Sequence, residues 1–261
     1  MKYKKSKKSS SAEKRFLKIK KIYYRLRIFC IPILIGFFVF QLITYIKQSY
    51  FFNVKEINIL GTNFLSEKYI AELISVEPGK NIFKIDIEKI SKVLGKEPWI
   101  KKVKIERKLP KTININIQER KPYAVLISTE KYLLDDAGFI IKKLDFKEET
   151  ERYPLIKGVK KINYNIGNRV SLERPLRGLA VLKNLSNSGL YDLRDIFIVD
   201  MSDMRRVSIK MTNGTRLNLD ESNIEKEVSR LKTISKLLKK DKRRIEYVDL
   251  CFRKKVVVKL F

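Results

Sequence analysis

The chain has 261 residues, with 58 Lys and Arg against 29 Asp and Glu and no histidine. That length suits one or two domains with a buried core, and a hydrophobic content of 44% excludes a chain disordered by composition. The lack of histidine excludes Ser-His-Asp and Cys-His catalytic sets and His-ligated zinc, and the net charge of +29 points to an anionic partner or surface.

Residues 1–27 carry nine Lys and three Arg against Glu13, a net of +11. Ile28 to Ile46 follow as 19 residues without a charge. As a helix this run spans about 28 Å, close to the hydrocarbon thickness of a bilayer, and Pro32, Gly36 and Gln41 are tolerated there. Only Lys47 separates the span from Tyr50-Phe51-Phe52, so the charge asymmetry predicts a cytoplasmic N-terminus with the remainder outside. The long basic region, the long apolar run and the lack of a small-x-small site favour an uncleaved anchor over a signal peptide. The basic tail then reads as a topology signal that also grips anionic lipid, not as a nucleic-acid contact. A net of +18 belongs to the part beyond it. Cys30 in the apolar run and Cys251 near the far end predict no internal disulfide.

Residues 51 to about 121 read as a β-α-α-β-β unit. Val54–Leu60 is a predicted strand closed by the turn cluster Gly61-Thr62-Asn63. Ser66 is the expected N-cap of a helix with Tyr69, Ile70, Leu73 and Ile74 on one face, ended by Pro78-Gly79. A second helix is expected from Asp86 to Gly95, with Ile87, Ile90 and Leu94 at helical spacing. Pro98-Trp99 leads into a strand with Val103 and Ile105 on one face. Beyond Leu109-Pro110-Lys111, Ile113, Ile115 and Ile117 alternate with Asn114, Asn116 and Gln118, a half-buried strand.

Five segments of this unit, Val54–Asn63 with Leu65-Ser66, Gly79–Asp86, Pro98–Val103, Arg107–Pro110 and Glu119–Ala124, resemble a POTRA (polypeptide-transport-associated) domain in order and spacing. With a short basic tail and one anchor, the layout resembles the FtsQ/DivIB family of bacterial cell-division proteins. Gly61 and Gly79 are expected to supply turn geometry, and Pro98 and Trp99 to complete the motif, with Trp99 plugging the core between sheet and helices.

Residues 122–261 read as β-rich with helical inserts. Tyr132–Leu134 and Phe139-Ile140 flank a tight turn at Asp135-Asp136-Ala137-Gly138, where a hairpin is the better reading than a pair of metal ligands. This turn and Tyr153–Gly158 resemble the start of the family's β domain. A helix is expected over Glu173–Asn184, with Leu176, Leu179, Ala180 and Lys183 on one stripe. Asp195–Asp200 is a predicted strand, and the hairpin through Asn213-Gly214 is expected to use a type I′ turn. Ile224–Leu238 is expected as a helix with Val228, Leu231, Ile234 and Leu238 inward and Lys226, Arg230, Lys232, Lys236 and Lys239 outward.

The chain closes with Ile245–Phe252, the basic turn Arg253-Lys254-Lys255 and Val256–Phe261. In the family the pattern here is Tyr-Val-Asp-Leu-Arg-aromatic, and Cys251 stands in place of the Arg. The resemblance implies that the final strand is a sheet edge onto which a partner adds its own strand, with Tyr247, Asp249, Phe252, Val256, Val257, Val258 and Leu260 as the binding residues. Such an edge offers unpaired N–H and C=O groups, and a run such as Val256-Val257-Val258 is an aggregation hazard unless covered.

No Gly-rich phosphate loop ending in Lys-Ser/Thr, Cys-x-x-Cys, Gly-x-Ser-x-Gly or Ser-x-x-Lys flanked by its partner motifs is present, so no catalytic, cofactor or metal residue is expected. The expected fold class is α+β: a tail at 1–27, a transmembrane helix at 28–46, a POTRA domain at 51–121 and a β domain with helices at 122–261. The resemblance implies a non-enzymatic divisome scaffold in the cell inner membrane, concentrated at the septum. Its implied partners are small bitopic proteins of the FtsB and FtsL type, with no nucleic acid or small-molecule substrate. The alternative is a POTRA-bearing component of protein translocation or outer-membrane assembly.

Overall fold

The computed structural model describes residues 11–145, 152–238, 245–252 and 255–260. The first ten residues of the basic tail, Lys239, Arg253, Lys254 and Phe261 lie outside them, as do the side chains of Lys236 and Leu238. The fold is mixed α+β, with an apolar N-terminal helix, a small α/β region and a β-rich C-terminal region carrying helices. Packing divides the chain into two compact units: Met1–Asn58, Val76–Asp86 and Glu106–Asn114; and Ile59–Ser75, Ile87–Ile105 and Ile115–Phe261.

In the first unit, α1 spans Ser11–Gln48, and its apolar residues from Phe16 to Tyr45 are exposed. Its segment Arg15–Gln48 has a mean hydropathy of 2.3 over its most apolar stretch and is long and apolar enough to cross a membrane. The helix begins well ahead of the uncharged run because Lys, Arg, Leu and Glu are good helix formers and charge does not interrupt the backbone ladder. Beyond α1, the Ser49 hydroxyl accepts from Phe51 N and starts a short 3-10 turn at Tyr50–Phe52. The buried Asn81 then closes the end of the helix. Its Nδ2 donates to Ile46 O and Ser49 O, both at 3.1 Å, and its Oδ1 accepts from Phe83 N at 3.0 Å. Arg107 braces the same loop, donating to Ile82 O at 3.0 Å and Ile85 O at 2.7 Å. Among the described residues, Val54, Ile82, Ile85 and Ile113 are the buried apolar residues of this unit.

Three strands, β1 (Glu56–Leu60), β2 (Ile100–Lys108) and β3 (Thr112–Glu119), form a sheet in the order β1-β3-β2. β1 is two residues shorter than the predicted strand. In the second unit, α2 (Glu67–Ile74) starts as expected, with the Ser66 hydroxyl accepting from Tyr69 N. It ends earlier than Pro78-Gly79, at Ser75, whose φ of 46° turns the chain while its N–H donates to Ala71 O and its hydroxyl to Glu72 O. α3 spans Ile87–Leu94. Ile70, Leu94, Ile100, Ile115 and Ile117 are buried.

The rest of the second unit is a mixed nine-stranded sheet. Its strands are β4 (Pro122–Ile127), β5 (Lys131–Asp135), β6 (Ile140–Leu144), β7 (Leu155–Lys157), β8 (Ile196–Asp200), β9 (Arg206–Met211), β10 (Arg216–Asp220), β11 (Ile245–Asp249) and β12 (Val257–Leu260). The order is β12-β11-β10-β9-β8-β7-β4-β5-β6, parallel at β10/β11, β4/β7 and β7/β8 and antiparallel elsewhere. β4 was not anticipated. Ala124-Val125-Leu126 is fully buried, so the strand lacks the polar alternation that marks a half-exposed one.

α4 (Glu173–Asn187) and α5 (Ile224–Leu238) complete this unit. The buried face of α4 is Pro175, Gly178, Leu179, Val181, Leu182 and Leu185, with Ala180 exposed, so the anticipated stripe is rotated by about one residue. Gly178 lies there because a Cβ would meet Ile156 Cγ2 at 2.8 Å. The β9–β10 hairpin is present, but Gly214 has a positive φ (91°) and Asn213 does not. Gly214 N donates to Met211 O, and Met211 N to Thr215 O, which describes a three-residue loop and not a type I′ turn.

Candidate partner-binding edge

The terminal hairpin is built by β11 and β12, which pair antiparallel with Val248 opposite Val258 and Asp249 opposite Val257. Between Ile245 and Tyr247 the register shifts, so Glu246 is the extra residue of a bulge. β12 ends the nine-strand order, and among the described residues its outer backbone edge has no neighbouring strand. Alternate N–H and C=O groups along Val257–Leu260 therefore face away from β11.

The strand's period of two divides its side chains. Val256 and Val258 are partly buried and pack against the core, Leu260 is half-buried and Val257 is 39% exposed. Of the anticipated binding residues, then, Val257 and Phe252 present large apolar surface, Phe252 being 54% exposed. Tyr247 is half-buried in β11. Asp249 is buried, which makes it a structural residue: its Oδ2 accepts from Asn218 Nδ2 at 3.2 Å and its Oδ1 from Cys251 N at 2.9 Å. Burial, followed by a hydrogen bond to Asp249, pushes the Cys251 thiol up to about 11.

Electrostatics fix the hairpin on both sides. Lys259 Nζ lies 2.8 Å from Glu246 Oε2, and Arg216 reaches Glu246 Oε1 at 3.4 Å. The hydrogen bond from Lys259 holds the Glu246 carboxyl below its usual range, and the same bond raises Lys259. From α5, Arg230 donates to Leu250 O at 3.0 Å, Phe252 O at 2.9 Å and Lys255 O at 3.0 Å, and pairs with the buried Glu227 at 2.6 Å. The helical spacing predicts Arg230 outward, but the structure turns it inward, its side chain 20% exposed. Three carbonyls of the turn around Cys251, the position where the family pattern has Arg, are satisfied by this guanidinium from another element. Glu227, one turn earlier on a face otherwise apolar at Val228 and Leu231, was the signal for it.

The POTRA-type residues do not join this edge. Gly61 has φ +87°, and a Cβ there would lie 2.0 Å from Ile117 O, so only glycine fits. Gly79 has the same φ in open space. Pro98 and Trp99 are half-buried. Trp99 does not plug the core but stacks on the exposed Phe64, with centroids 4.8 Å apart. Glu119 escaped the sequence reading: its buried carboxylate accepts from Asn63 N and Phe64 N, both at 2.8 Å, and Leu65 N at 2.9 Å. Its place in the same parity as Ile113, Ile115 and Ile117 was the available clue.

Asp135 and Asp136 are held by the protein. Asp135 accepts from Ala137 N, Phe139 N and Arg120 Nη1, the last at 2.7 Å, and Asp136 pairs with Lys101 and Lys183. Among the described residues no group of three His, Cys, Asp or Glu side chains is placed to hold a metal ion.

Comparison with known proteins adds the family. Residues 52–120 match the family model for the POTRA domain, FtsQ-type, and residues 124–250 match that for cell division protein FtsQ/DivIB, C-terminal. The chain is 28% identical over 226 residues to cell division protein FtsQ of Geobacter sp. (strain M21), covering 86% of this chain and 82% of that one. It is 26% identical over 213 residues to FtsQ of Syntrophotalea carbinolica, covering 81% and 75%. It is also 27% identical over 227 residues to cell division protein DivIB of Clostridium tetani, covering 83% of each. Two consecutive matches to models of one family, together with relatives aligned across both regions, mean that this chain belongs to the FtsQ/DivIB family of cell-division proteins.

Proposed function

We propose that the chain is a single-pass, non-enzymatic divisome scaffold with a cytoplasmic N-terminus, anchored by residues 28–46 and concentrated at the division septum. Its extracytoplasmic part comprises a POTRA domain at 51–121 and a β domain at 122–261. The scaffold links early cytoplasmic to late periplasmic division components by capturing bitopic proteins of the FtsB and FtsL type. Capture is by β-augmentation: a partner strand adds to the outer edge of β12, satisfying its backbone groups, while Val257 and Phe252 supply apolar contact.

The observation that carries this reading is the terminal place of β12 in the sheet, with Val257 facing outward. The basic tail followed by an uncharged helix supports the orientation. The test is co-purification of the full chain with a candidate bitopic division protein. Val257→Glu is expected to abolish capture while circular dichroism stays unchanged, because the side chain points away from the core. Capture at the wild-type level by that variant overturns the reading.

A further inference from the structure

The residues that follow α1 form an apolar and basic collar within the first unit. Asn81 clasps Ile46 O and Ser49 O, which keeps the segment around it at the end of the helix. Three backbone bonds extend the collar: Ile82 N to Phe52 O at 2.8 Å, Val54 N to Lys80 O at 3.0 Å and Lys55 N to Lys111 O at 2.9 Å. Phe51, Phe52 and Phe83 form an edge-to-face chain with centroids 5.1 and 5.3 Å apart. Phe51 is nevertheless 57% exposed, and the neighbouring Tyr50 is 87% exposed. Lys111 Nζ lies 5.1 Å from the Phe51 centroid, which brings the β2–β3 turn to the same place. That turn, Lys108-Leu109-Pro110-Lys111, presents Leu109 at 56% exposure with a lysine on either side.

An exposed leucine between lysines, beside exposed aromatic rings at the end of an apolar helix, is chemistry suited to a bilayer interface. Aromatic rings settle at headgroup depth, apolar tips enter the upper acyl region, and lysines extend back to phosphate. We infer that this collar docks on the leaflet from which α1 emerges, with Leu109 inserted and Lys108 and Lys111 on the phosphates of anionic phospholipid. The segments 47–56, 76–86 and 106–114 hold seven Lys and Arg against four Asp and Glu, so the face is net cationic. The inference rests on the reading that α1 crosses the bilayer. It assigns the turn a role in fixing the anchored unit on the membrane surface.

The test uses the full chain with Cys30 and Cys251 replaced by serine, carrying one environment-sensitive label at Leu109→Cys or, separately, at Phe38→Cys in α1. The chain is placed in nanodiscs of phosphatidylcholine, with or without a one-third share of phosphatidylglycerol. Quenching by doxyl groups at the top of the acyl chains for Leu109, and at their middle for Phe38, is compared with quenching by iodide in the water. With phosphatidylglycerol, both labels are expected to be lipid-quenched. Each of Lys108→Gln and Lys111→Gln is expected to lower the docking equilibrium at Leu109 about fivefold. A lipid-quenched Phe38 label with an iodide-quenched Leu109 label overturns docking and leaves the anchor standing. A Leu109 signal indifferent to phosphatidylglycerol and to both lysines overturns the phosphate contact. Absence of lipid quenching at Phe38 overturns the anchor itself, and the collar with it.

Discussion

The Glu227 carboxylate lies 2.6 Å from the Arg230 guanidinium, three residues along α5, with the two side chains 8% and 20% exposed. The Arg230 Nη1 and Nη2 groups also donate to Leu250 O, Phe252 O and Lys255 O, so this pair joins a helix to the segment that precedes the edge strand. Arg230→Gln is expected to destabilise the protein by about 2–3 kcal/mol, since it leaves a buried carboxylate and several carbonyls poorly paired. Arg230→Lys should recover little, because an ammonium lacks the planar fork. Hydrogen exchange of the full chain in detergent would show the effect as a larger acceleration at Val257–Leu260 than at β4 and β5. Unaltered protection of β12 would contradict the assignment.

Glu119 gathers three consecutive backbone N–H groups from the loop after β1. Glu119→Ala should cost about 2–4 kcal/mol through charge-assisted bonds lost and donors left bare. Glu119→Gln should recover part of that, because one amide oxygen still accepts. Chemical denaturation followed by Trp99 fluorescence reads both, since Trp99 stacks on Phe64, one of the three donors' residues.

Gly61 and Gly79 share a φ of +87° but differ in what surrounds them. Gly79→Ala should cost about 1 kcal/mol, the backbone penalty alone. Gly61→Ala adds a collision with Ile117 O and should cost at least about 3 kcal/mol or displace the turn from β3. Equal losses at the two positions, measured by denaturant midpoint, would refute the distinction.

The Cys251 thiol titrates near 11 in place of 9.0, because burial and Asp249 disfavour the thiolate. Its thiolate fraction at pH 8 is then roughly a hundredfold below that of an unperturbed thiol, and alkylation of the folded chain should slow in proportion. The folded state holds this proton more tightly than the unfolded one. The associated stability is therefore complete below pH 9 and lost as pH rises toward 11. Mass spectrometry after iodoacetamide at stepped pH reads the first effect, and rapid alkylation at pH 8 would refute it.

Elements with one wet face were legible in the sequence. β3 shows its isoleucines at every second position, and Ser66 announces α2 by its hydroxyl. β4 was not legible, because a strand buried on both faces resembles any apolar run. The terminal hairpin was readable as an edge by resemblance, whereas the division of Val256, Val257 and Val258 between core and solvent depends on register with β11. Glu119, Arg107, Asn81 and Arg230 were missed for a common reason. Each satisfies backbone groups distant in sequence, and no local pattern records a carbonyl or an N–H that awaits a partner.

Asn81 has a mechanical consequence. Because its amide grips the carbonyl oxygens of Ile46 and Ser49, α1 is geared to the segment beyond it, with no slack tether between them. On the proposed reading of α1 as an anchor, a rotation of the helix is passed to residues 79–85 through these two bonds and is not lost in a free swivel.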